Sequence, residues 1–156
     1  MTVWQSAGLW FGLVVYAVAW LRGGHPERLG AGLLLLTNLS AELANAWEVG
    51  AYRPGFMIMD AASLLIFGGL WFRSNRWWPA VAASGYGLIV LVQAIRVMDP
   101  TFSHYAMVSA KVGLWYVVDL ALLFGVWERW LAGEAPAARA AWAKATRFPT
   151  PRASSR

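Results

Sequence analysis

Five apolar stretches separated by short polar breakers fill almost all of the chain up to residue 131, and that pattern restricts it to a bundle of membrane helices. They run Trp4–Leu21, Leu29–Trp47, Phe56–Phe72, Trp78–Met98 and Tyr105–Leu131. Each is long enough for a hydrocarbon core of roughly 30 Å at about 1.5 Å per helical residue. The separators are Arg22-Gly-Gly-His-Pro-Glu-Arg28, Val49-Gly-Ala-Tyr-Arg-Pro-Gly55, Arg73-Ser-Asn-Arg76 and Asp99-Pro-Thr-Phe-Ser103, all rich in helix-ending residues. A soluble alternative fails on composition. Charged residues make up 13% of the 156 and hydrophobic ones 59%, whereas a soluble domain carries about 25% charge. A domain this short could not bury so much apolar surface.

Charge placement sets the expected orientation. The chain carries a net +5, but its cations are grouped at segment ends and in the tail, which is the pattern of membrane topology and not of nucleic-acid binding. Arg22, Arg28, Arg73, Arg76, Arg129, Arg139, Lys144, Arg147, Arg152 and Arg156 fall on one side, and Arg53 and Arg96 on the other. Ten against two predicts a cytoplasmic tail, and five spans then put the N-terminus outside. Met1–Gln5 has no basic region of the kind that opens a signal peptide, so the first helix is expected to be retained. Trp4, Trp20, Trp47, Trp71, Trp77, Trp78, Trp127 and Trp130 mark segment ends and read as interfacial anchors. Residues 1–132 form the expected transmembrane domain and 133–156 a basic tail. Within that tail Pro136–Ala145 is expected to be a short helix, docked by Trp142, and Phe148–Arg156 to be disordered. Such a tail suits anionic lipid or a partner subunit.

Polar groups inside the apolar segments are the candidates for function, because an ionisable side chain in a bilayer costs several kcal/mol unless it is paired or hydrated. Counted from the outer ends at about 1.5 Å per residue, Glu42, Asp60, Gln93 and Lys111 share one layer roughly 6–10 Å deep, with Arg96 at its edge. Asn38, Glu42 and Asn45 follow one another at i, i+4 and i+7 and predict a polar stripe facing the bundle interior. Glu42 is the expected partner of Lys111. A deeper level holds Asp119, which either is protonated or is satisfied by a hydrogen bond, with Tyr86, Tyr16 and Asn38 at a similar depth as candidate partners. Lys111, Trp115 and Asp119 lie along one side of the last helix, which should face inward. The small-residue run Ala82-Ala-Ser-Gly-Tyr-Gly87 reads as close helix packing.

Several chemistries are excluded by what the chain lacks. Without cysteine there is no disulfide, thiolate or iron–sulfur site. His25 and His104 fall in loops on opposite sides, which removes bis-histidine haem ligation and any Ser/His/Asp arrangement. No phosphate-loop or dinucleotide fingerprint is present. No cofactor is therefore expected, and no metal site.

The stretch Arg73-Ser-Asn-Arg-Trp-Trp-Pro79 with the helix that follows resembles a feature of small multi-spanning inner-membrane proteins of alphaproteobacteria. The resemblance covers about a third of the chain. It implies a bacterial inner membrane and brings no activity with it. The leading expectation is a non-catalytic accessory or assembly subunit of a larger membrane complex. The alternative is a small solute, ion or proton-coupled transporter using the outer polar layer, and a wet path from Glu42 to Asp119 would separate the two. An integral-membrane enzyme would have to draw its acid/base chemistry from Glu42 and Asp60 alone.

The orientation has a direct test, since every introduced cysteine is unique. A membrane-impermeant thiol reagent on intact cells should label cysteines placed in the loops near Arg53 and Asp99. It should leave His25→Cys and Asn75→Cys untouched, and labelling of Asn75→Cys would reverse the topology.

Overall fold

The computed structural model of the chain is built of α-helices throughout its described residues, which are 3–47, 49, 53–99 and 101–134. The side chains of residues 3–5, 42 and 45 fall outside that description, as does the tail from residue 135 with its expected helix and disordered end. The helices are α1 Val3–Arg22, α2 His25–Leu39, α3 Ala41–Ala46, α4 Pro54–Arg73, α5 Trp78–Met98 and α6 His104–Leu131. Three of them, α4, α5 and α6, are long and apolar enough to cross a membrane, and α1 contributes a shorter apolar stretch, Ser6–Arg22.

Local chemistry explains the boundaries. Pro26, Pro54 and Pro79 stand in the first turns of α2, α4 and α5, where a missing N–H costs nothing. Ser103 caps α6 by accepting from the Ala106 N–H. In the α5–α6 link, Asp99 accepts from both the backbone N–H and the hydroxyl of Thr101, which holds its carboxyl below the usual value. Arg96 donates across the same link to the Phe102 carbonyl.

The second apolar segment is not one helix. It breaks at Ser40 into α2 and α3. Thr37 Oγ1 donates to the Leu33 carbonyl at 2.8 Å and Asn38 Nδ2 to the Leu34 carbonyl at 3.0 Å. Polar side chains that bond back four residues in this way compete with the helical ladder and bend it. The break at Ser40 falls within the expected stripe of Asn38, Glu42 and Asn45, and the side chains of the latter two lie outside the described residues.

The helices form a bundle in which α5 packs along α4 and α6, α6 along α1, and α1 along α2. α2 closes the ring against α4 and α6, and α3 rests on α4. The core is centred on Trp78, which is fully buried, a correction to its expected place at the interface. The indole slots between two glycines on facing helices. A Cβ on Gly30 would stand 2.5 Å from Trp78 Cη2, and one on Gly125 would stand 2.3 Å from Trp78 Cδ1. Phe67 meets Trp78 edge-on at 6.0 Å and stacks on Tyr86 at 5.6 Å. An indole can be buried this deeply because its N–H has a partner, Glu27 Oε1 at 3.2 Å. Trp20, Trp47, Trp71, Trp77, Trp127 and Trp130 remain exposed. Of the run Ala82–Gly87, Ala82, Gly85 and Tyr86 are buried in the bundle, where Gly85 admits Val118, whereas Ser84 is exposed.

Glu27 joins the elements at this end. It lies three residues after Gly24, the residue before α2, and accepts the Gly24 N–H at 2.8 Å as the reciprocal half of a capping box. Arg129 Nη1 from the last turn of α6 approaches Glu27 Oε2 at 3.8 Å. Arg129 also faces Glu134, which pairs with Arg76, and Arg76 reaches Glu128 at 3.7 Å. The α1–α2 turn, the α4–α5 link and the end of α6 are thereby gathered at one basic end.

Two glycines of α6 make a matched test of this packing. Gly113→Ala meets nothing within 4 Å and should leave thermal stability in detergent unchanged or slightly raised, since alanine favours helix. Gly125→Ala drives a methyl into Trp78 and should cost about 1–3 kcal/mol. Equal melting temperatures for the two variants would remove Trp78 as the centre of the core.

Candidate functional site

At the end of the bundle away from Glu27, three helices place polar side chains together. Asp60 on α4 is 2% exposed. Gln93 Nε2 on α5 donates to Asp60 Oδ2 at 2.7 Å, and Lys111 Nζ on α6 reaches the same oxygen at 3.0 Å. Lys111 also lies over the rings of Phe56, at 5.2 Å, and Trp115, at 5.9 Å. A half-buried lysine held by a buried carboxylate and flanked by ring faces has its charge answered by its neighbours. The expected outer layer thus includes a real cluster of Asp60, Gln93 and Lys111. Arg96 is engaged in the α5–α6 link instead. The cation's partner is Asp60. The side chain of Glu42, its expected partner, is outside the described residues.

A second cluster lies deeper. Asp119 is eight residues beyond Lys111 on α6, about 12 Å along the axis at ~1.5 Å per residue, and is 6% exposed. The Tyr16 hydroxyl of α1 donates to it and in turn accepts from Asn38 Nδ2 of α2 at 3.2 Å. Gly12 makes the approach of α1 possible, for a Cβ there would stand 3.0 Å from the Tyr16 oxygen and 3.1 Å from Asp119 Oδ2. Tyr86, the first candidate for the Asp119 partner, stacks on Phe67 and lies beside Ser63 and Thr37. Tyrosine and asparagine were both expected at this depth; only packing decided which of them reaches the carboxylate.

The two levels share one cavity of ≈ 570 Å³. Asp60 and Asp119 both line it, together with Tyr16, Thr37, Asn38 and Tyr86 on the polar side and Phe56, Trp115 and Tyr116 among its ring-bearing walls. Arg53, an exposed residue just before α4, lines it too. Its volume falls in the range of small-molecule sites, about 300–1,000 Å³, and its mixture of ring faces with a few convergent polar groups is typical of them.

Sequence reasoning missed Glu27, which it left in a loop, although Glu three residues after a Gly-Gly turn is half of a recognisable capping signal. It also missed Arg53 and Tyr116 as cavity residues, and no signal in the linear pattern marks them. Compared with known protein families, curated proteins and solved structures, the chain matches none.

The Asp60–Lys111 pair predicts non-additive mutations. Asp60→Leu strands the Lys111 ammonium and the Gln93 amide and should lower stability by about 3–5 kcal/mol. Adding Lys111→Leu should recover part of that loss, because a lone buried charge is worse than none. A double-mutant cycle on thermal unfolding in detergent reads the coupling; strict additivity would dissolve the pair.

Proposed function

We propose that this chain is a small multi-pass protein of a bacterial inner membrane that takes a solute into the cavity between Asp60 and Asp119, as a carrier or the solute-binding part of one. The observation that carries the reading is the cavity itself. A purely structural bundle gains most by filling such a space, since interiors pack to the density of organic crystals and voids cost stability. Here space is kept, and the residues facing it include two carboxylates and four hydroxyl-bearing side chains, Tyr16, Thr37, Tyr86 and Tyr116. It spans both polar levels, which favours the carrier reading, with Asp60 as the outer carboxylate.

In this reading α1, α2 with α3, α4, α5 and α6 make five passes, with the cavity toward the outer face. The ten-to-two distribution of Lys and Arg supports a cytoplasmic location for the Glu27 end and the tail. Anionic headgroups would meet Arg22, Arg73 and the basic tail there.

A second reading keeps the accessory subunit. It rests on the aromatic perimeter, where Trp10, Trp20, Trp71, Trp127 and Trp130 are exposed and offer contact area to other membrane proteins. Lipid alone also suits such residues, so the perimeter weighs less than the cavity.

Cysteine accessibility distinguishes the readings, because a thiol reacts as thiolate and ionises only where water reaches it. Met59 lines the cavity, whereas its neighbour Ile58 is 55% exposed on the outer surface of the same helix. Met59→Cys should react with a small hydrophilic thiol reagent, and Ile58→Cys, facing hydrocarbon, should not. An inert Met59→Cys, together with a stoichiometric complex in native mass spectrometry from nanodiscs, would replace the carrier with the accessory subunit.

A further inference from the structure

The two carboxylates of the cavity are not equivalent. Asp60 is committed to Lys111 and Gln93. Asp119 accepts from the Tyr16 hydroxyl, and among the described residues no lysine, arginine or histidine forms an ion pair with it. A carboxylate offers about four acceptor positions, so one phenolic donor leaves most of its capacity unmet. Helical side chains lean toward their own N-terminus, which on α6 is the direction of Lys111 and the outer level of the cavity.

We propose that Asp119 and the rings around it form a site for a small organic ammonium ion: a primary amine on an aromatic or apolar body. The inference rests on the reading of the cavity as a solute site and names its substrate class. The amine would supply the positive charge and N–H donors that the protein withholds from Asp119. Tyr16, Tyr86, Trp115 and Tyr116 all line the cavity, and ring faces attract a cation through their quadrupole while packing against an apolar body. An anion of the same size would meet the uncompensated charge of Asp119, and a neutral alcohol would gain no ion pair. Gly12 serves as the spacer that lets α1 bring its tyrosine to the carboxylate without closing the site.

The test is protection of Met59→Cys in nanodiscs from a small, uncharged, hydrophilic thiol reagent. The probes are benzylammonium, benzyl alcohol and benzoate, which share a ring and differ in the charge of the polar end. Benzylammonium should slow labelling at concentrations where the other two do not. Asp119→Asn in the Met59→Cys background should weaken that protection about tenfold or more, the usual worth of a hydrogen bond to a charged group. Asp119→Glu, which keeps the charge, should retain it. The ligand series needs no change at Asp119 and decides even where Asp119→Asn fails to assemble. Equal protection by benzyl alcohol, or full protection surviving in Asp119→Asn, would remove the ammonium assignment and leave the solute cavity standing. A Met59→Cys that never labels would remove both.

Discussion

The Glu27 carboxylate conditions the rest of the bundle. It is fully buried, and a charged group taken out of water persists only when its lone pairs and its charge are answered nearby. Its answers come from three separate places in the chain: the Gly24 N–H before α2, the Trp78 N–H at the start of α5, and the Arg129 guanidinium at the end of α6. The two N–H groups divide between its oxygens, and Arg129 approaches the one that Gly24 uses. None of the three can move far without leaving a buried charge exposed to apolar surroundings. The tight turn follows from the same demand, since a Cβ on Gly24 would stand 2.1 Å from Arg129 Nη1.

Packing extends this constraint inward. Trp78 is held by its N–H at Glu27 and by its ring between Gly30 and Gly125, and Phe67 and Tyr86 stack behind it. That half of the bundle is filled, with Ile89, Leu122 and Val126 completing the core. The other half is organised differently. α2 ends at Ser40 under the competition of its own polar side chains, α3 rests on α4, and the space between the helices stays open beside Asp60 and Asp119. A bundle locked at one end and hollow at the other can hold polar groups deep among apolar helices, because the filled half bears the burden of stability.

The polar residues of the hollow half divide into a compensated level and an uncompensated one. Asp60, Gln93 and Lys111 satisfy one another from three helices, whereas Tyr16 and Asn38 give Asp119 hydrogen-bonding company without charge. This difference gives the cavity its chemical direction. Both levels were visible in the sequence as ionisable residues within apolar runs, since such residues are costly enough to stand out. Their pairing was not visible. Glu42 and Asp60 have the same charge and nearly the same depth, and it is the packing of α4 and α6 on either side of α5 that brings Lys111 to Asp60.

Sequence alone determined the class of the protein, because segment length and apolarity answer directly to the thickness and chemistry of a bilayer. It also came within two residues of the helix starts marked by Pro54, Pro79 and Ser103, since those effects are local, but it placed the second helix from Leu29 where α2 begins at His25. Ser40 shows the limit: the same local chemistry broke a helix that overall apolarity had suggested was continuous. Tertiary structure alone decided that Trp78 is the core and not an anchor, that Glu27 is a buried hub and not a loop residue, and that Tyr16 serves Asp119 while Tyr86 does not. Each of these depends on which face of one helix meets which face of another. That choice is made by close packing of side chains and by partners far apart in the chain, and no linear spacing encodes it.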